Sequence, residues 1–99
     1  MNNVLLDKVN IDTNGTYIAS NGSEKQLIAE ADSFGGGTVN IETSIDGNIS
    51  IPVTINGFPG TPISFTTNGS VKIFIGQGAK IRATLTGSSG ASNVRVILF

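Results

Sequence analysis

The chain has 99 residues, six Lys and Arg against seven Asp and Glu, a net charge of −1 and only 13% charged side chains. It contains neither Cys nor His, which excludes disulfides, thiolate nucleophiles, imidazole bases and His/Cys metal cages within the chain. A length that supports one modest core implies a single domain, 1–99, and the absence of a Lys/Arg cluster argues against a nucleic-acid partner.

Taken in order, Val4 to Val9 reads either as the first strand or as an N-terminal arm within residues 1–10. Met1 to Lys8 lacks a basic region and a signal-length apolar run, so Sec-type export is not expected. No stretch approaches the roughly 20 apolar residues of a membrane span, so no membrane partner is expected. Thr16 to Ser20 reads as a strand between two Asn-Gly turns. Gln26 to Ala31 has helical propensity but also alternates, with Leu27, Ala29 and Ala31 on one side. A strand is the better reading, because turns flank it closely and so short a helix is marginal in water. Gly35-Gly36-Gly37 precedes a strand rather than a helix. It therefore frees the backbone or forms a bulge and does not cradle a nucleotide.

Beyond Gly36 the period of two is plain. Val39, Ile41, Thr43 and Ile45 alternate with Asn40, Glu42 and Ser44, and Ile49, Ile51, Val53 and Ile55 follow after Asp46-Gly47-Asn48. These predict a hairpin whose second strand lies at an edge, or in which the Pro52 nitrogen points to solvent, since Pro52 has no amide hydrogen to donate. Asn56 to Pro62 reads as a loop, and Ile63 with Phe65 marks the next short strand. Val71, Ile73 and Ile75 form another strand, and Ile81, Ala83 and Leu85 the next, with Lys80, Arg82, Thr84 and Thr86 on its wet face. Gly87 to Ser92 is a small-residue loop, and the closing strand carries Val94, Val96 and Leu98 backed by Arg95, Ile97 and Phe99.

Five Asn-Gly or Asp-Gly pairs, at 14–15, 21–22, 46–47, 56–57 and 68–69, punctuate these segments. Asn, Asp and Gly tolerate the positive φ of tight turns, so each pair predicts one. The glycosylation sequons at Asn14, Asn21, Asn48 and Asn68 are read as the same turn chemistry. The fold class is therefore all-β, a small antiparallel β-sandwich of about seven or eight short strands, with a small β-barrel as the alternative.

Nothing in the pattern points to catalysis. Asp12-Thr13-Asn14-Gly15 opens like a calcium loop, but no bidentate acid follows at the required spacing. Asp7 with Asp12, and Glu30 with Asp32, read as solvated surface pairs. No enzyme activity, catalytic residue, metal site or cofactor is expected. Of the aromatic residues, Phe65 belongs to the core by its phase, while Phe74, Ile97 and Phe99 fall on the opposite side and suggest a second apolar surface. Phe58, in a Pro/Gly loop beside Pro59, is either a loop anchor or a partner contact. A weakly charged sandwich also exposes strand edges that invite further pairing.

Three runs carry a family resemblance: Gly36-Gly-Thr-Val-Asn-Ile-Glu-Thr-Ser-Ile-Asp-Gly, Phe65-Thr-Thr-Asn-Gly-Ser, and Ile75-Gly-Gln-Gly-Ala-Lys-Ile-Arg-Ala-Thr-Leu-Thr-Gly. In their hairpin, turn and strand layout they resemble small virion proteins of tailed bacteriophages, over roughly residues 36–99. The resemblance implies a non-enzymatic capsid decoration (cement) protein, made in the host cytoplasm and carried on the capsid exterior. It would bind the major capsid protein and sit there as a homo-oligomer. The expected contacts are the N-terminal residues Asn2, Asn3, Val4, Leu5 and Leu6 and the loop residues Phe58 and Pro59. The alternative is a receptor- or glycan-binding module of a fibre or head-displayed adhesin.

Overall fold

The computed structural model describes residues 3–19, 22, 24–46, 48, 51–55, 61–74 and 76–99. Among them are no helices and twelve strand segments. In order these are β1 (Asn3–Val9), β2 (Thr13–Asn14), β3 (Ile18–Ala19), β4 (Glu24–Glu30), β5 (Thr38–Ser44) and β6 (Ile51–Pro52). They are followed by β7 (Thr54–Ile55), β8 (Thr61–Pro62), β9 (Ser64–Phe65), β10 (Gly69–Phe74), β11 (Lys80–Thr86) and β12 (Val94–Leu98).

Two antiparallel sheets face each other. The first has the order β1-β12-β4-β10; the second runs β2-β11-β5-β6, with β3 also on β11 and β9 also on β5. Both edges of the second sheet are interrupted strands. On one side β2 covers Thr84 and Leu85 of β11 while β3 covers Lys80 and Ile81. On the other, β6 covers Glu42 and Thr43 of β5 while β9 covers Val39 and Asn40. Between the last two the chain leaves the sheet as the two-stranded ribbon β7–β8. At the branch point the Ile41 carbonyl accepts from Val53 N at 2.9 Å, and the Val53 carbonyl accepts from Ile63 N at 2.9 Å. When each interrupted edge counts as one strand and the ribbon is set aside, the sheets read 1-8-3-6 and 2-7-4-5. That is the jelly-roll order, in which a long antiparallel ribbon of paired strands wraps around a common core.

The core follows from the period of two. Leu27 and Ala29 of β4 and Val94, Val96 and Leu98 of β12 meet Val39 and Ile41 of β5 and Ile81, Ala83 and Leu85 of β11, forming one buried cluster. Every buried side-chain polar atom among the described residues is hydrogen-bonded. The strand reading of Gln26–Ala31 holds, as does the edge position of the strand containing Pro52. β1 pairs with β12, and its register shifts between Val4 and Leu6 and again between Leu6 and Val9. The first shift turns two consecutive residues, Leu5 and Leu6, into the core, as a bulge can and a regular strand cannot.

Several local expectations are corrected. The alternation of β5 ends at Ile41: Ser44 is buried, and Ile45, beyond the strand end, is 95% exposed. Thr61–Pro62, read as loop, pairs with Thr54–Ile55. Asn14-Gly15 is not a tight turn. Thr13–Asn14 is a strand segment on β11, and Gly15 lacks left-handed backbone. What Gly15 supplies is room, for a Cβ there would lie 2.5 Å from the Ala83 carbonyl oxygen and 2.6 Å from that of Leu5. Left-handed turns do occur at Gly35 and Gly36, both at positive φ, with Gly37 N donating to Phe34 O across 2.9 Å.

Candidate functional site

The two sheets treat their outer faces differently. In the second sheet the outward residues of β11 and β5 are polar: Arg82 donates to Glu42 at 2.7 Å and lies over the Tyr17 ring, 4.6 Å from its centroid. Beside them Asn40 donates to the Thr86 hydroxyl. This is the dry-inside, wet-outside arrangement of an antiparallel sheet, except that Thr84, expected on the wet face, is buried.

The first sheet departs from it. Val4 of β1, Ile97 of β12 and Ile28 of β4 are register partners across three adjacent strands. Phe99 closes the stripe, anchored by its amide donating to Gln26 O across 2.8 Å. Val4 is 50% exposed and Phe99 45%, and a hollow of about 160 Å³ lies between Ile28, Ile97, Phe99 and the Glu30–Arg95 ion pair. A second ion pair, Glu24–Lys72, lies further out toward the β10 edge. Apolar side chains in the middle with matched charges around them are the anatomy of a protein–protein interface.

A second apolar corner sits at the far end of the paired strands β5 and β6. Asp46 Oδ1 accepts from Asn48 N at 2.8 Å. Ile45, Ile51 and Ala79 line a hollow of about 300 Å³ there, and Ile51 is 43% exposed.

The opposite end is polar. Asp12, the opening residue of the segment that resembled a calcium loop, is a clip for the loop after β11. Its carboxylate accepts from Gly87 N at 3.0 Å, from Ser88 N at 2.9 Å and from the Ser88 hydroxyl. The hydroxyl, followed by the Ser88 amide, holds the Asp12 carboxyl below its ordinary pKa, with desolvation opposing them and the Gly87 amide adding to them. No grouping of three or more acidic side chains suited to a metal ion occurs among the described residues.

Of the expected contact residues, Leu5 and Leu6 are core side chains, 4% and 3% exposed. Asn3 begins β1, and Val4 is the described side chain of that set that reaches solvent. Asn2, Phe58 and Pro59 lie outside the described residues, as does the side chain of Phe74. The second apolar surface foreseen from Ile97 and Phe99 is in place; Val4 and Ile28 join it through strand pairing, which no local pattern encodes. Comparison with protein-family models, with curated proteins and with solved structures gives no significant match.

Proposed function

We propose that this chain is a non-enzymatic phage virion structural protein, a decoration protein that docks on the assembled head and stabilises it. The observation that carries the docking is the apolar outer face of the first sheet, Val4, Ile28, Ile97 and Phe99 between charged rims. The resemblance over residues 36–99 supplies the identity of the partner, the major capsid protein. The jelly-roll order is compatible with it, since that architecture recurs in virion proteins, although fold analogy alone assigns no function.

The size of the face sets the mode of binding. Three strands about 4.8 Å apart and five residues long offer roughly 250 Å², well below the roughly 800 Å² per partner of a stable pair. One copy on one site binds weakly. Many copies on a lattice that presents the site only when assembled stabilise that lattice by linkage and by multiplicity.

The test is add-back to shells stripped of the protein. Wild-type chain saturates them and raises their melting temperature. Val4→Lys, at a half-exposed edge position, keeps the fold and lowers shell affinity at least tenfold, whereas Ile45→Ser at the remote corner leaves it within about twofold. Shells that neither bind the chain nor gain stability from it would reject the reading.

A further inference from the structure

The polar end holds a pocket of about 450 Å³ lined by Lys8, Glu30, Asp32, Asn68, Asn93 and Arg95. We infer that it is a binding site for a neutral saccharide. The inference is independent of shell docking and lies beyond the rim of the apolar face, with which it shares only the Glu30–Arg95 pair.

The first support is backbone geometry. Lys8 (φ 52°) and Asn93 (φ 53°) are the non-glycine residues with left-handed backbone among those described. Each immediately precedes one member of the Val9↔Val94 register pair. The two kinks thus fall on adjacent antiparallel strands, one on either side of that pair, and both kinked residues line the same pocket. Conformations of this kind persist where surrounding structure fixes them, and they concentrate at binding and catalytic sites.

The second support is preorganisation. Asn68 Oδ1 accepts from Ala31 N at 2.9 Å, Asn10 Oδ1 accepts from Asn93 N at 2.9 Å, and Asn93 Nδ2 donates to Asp32 Oδ2 at 2.8 Å. Below them Ser33 and Ser92 are bridged. These bonds satisfy the loop backbone and hold the side chains in place before any ligand arrives.

The third support is the groups left over. Lys8 and Arg95 balance Glu30 and Asp32, so the pocket is formally neutral and favours neither an anion nor a cation. The Lys8 ammonium has no ion-pair partner among the described residues. With Asn68 Nδ2 it supplies donors, while the Asp32 carboxylate and Asn93 Oδ1 supply acceptors. Donors and acceptors interleaved on planar amide and carboxylate groups match adjacent hydroxyls, each of which donates and accepts at once. A peptide strand is not accommodated in the same way, because the Ala31 and Asn93 amides it would pair with are already committed. The lining has no aromatic platform, so affinity is in the millimolar range.

The experiment is a ¹H–¹⁵N titration of the full chain with the methyl glycosides of glucose, galactose, mannose and N-acetylglucosamine to 100 mM, with inorganic phosphate and glycine as charged and zwitterionic probes. At least one glycoside is expected to give saturable shifts confined to residues 8, 30–32, 68 and 93–95. Asn68→Asp keeps the acceptor for Ala31 N but removes the donor, and should weaken that binding at least fivefold. Lys8→Asn, which tolerates the left-handed backbone, should weaken it about threefold. Val4→Lys should leave it unchanged. No saturable glycoside shift, shifts elsewhere, or tighter binding of phosphate or glycine in the pocket would each overturn the assignment.

Discussion

Gly15 offers the sharpest test of how the two sheets are joined. A Cβ at this position would meet two backbone oxygens, Ala83 O of β11 at 2.5 Å and Leu5 O of β1 at 2.6 Å. Ordinary carbon–oxygen contacts lie near 3.3–3.6 Å, so each oxygen would have to retreat by about 0.8 Å. The two strands belong to opposite sheets, and relief on one side tightens the other unless the sandwich opens at this corner. Overpacking against backbone costs about 3 kcal/mol here, at the upper end of its usual range. For a domain of this size that lowers Tm by about 15 °C. Gly36 is the internal control, because its φ is +74° and a methyl group there would find nothing within 4 Å. Gly36→Ala should cost only the left-handed penalty, about 1 kcal/mol or about 5 °C. Asn relaxes that penalty, so Gly36→Asn should recover most of the loss, whereas Gly15→Asn should be worse than Gly15→Ala. Thermal melts of the four variants by circular dichroism decide the matter. A Gly15→Asn protein as stable as wild type would show that residues 14–15 form a turn and refute the close approach.

The other expectations concern charge and the core. Asp12 is held below its ordinary pKa in the folded state, so its contribution is present above the unfolded value and disappears as pH falls through the folded one. Protection of the Gly87 and Ser88 amides relative to intrinsic exchange should therefore fall on acidification in wild type, while in Asp12→Ala it is low at every pH. A double-mutant cycle of Arg82→Ala and Glu42→Ala should give a coupling of about 1 kcal/mol, because the pair is shielded and Arg82 also rests on Tyr17. A coupling near zero would mean that solvent screens the pair fully. Leu27→Ala, at a fully buried site in the first sheet, should destabilise by about 3 kcal/mol in urea denaturation without altering the unfolding slope.

Much of this molecule is written locally. Strict alternation in β11 and β12 marks the inward residues Ile81, Ala83, Leu85, Val94, Val96 and Leu98, because side chains of a strand point to opposite sides in turn. The same rule exposes Ile97 and Phe99 as apolar residues on the wrong side for a simple core. Pro52 signals an edge because it cannot donate to a second neighbour. Tertiary pairing decided the rest. It set Val4 and Ile28 beside Ile97 and turned consecutive Leu5 and Leu6 inward through a bulge. It also brought Lys8, Asp32, Asn68 and Asn93 from four separate segments to one pocket. Gly15 shows the division most clearly: the residue type announced special backbone, but a turn and a crossing of two sheets ask for the same absent side chain, and only the neighbours across the fold tell them apart.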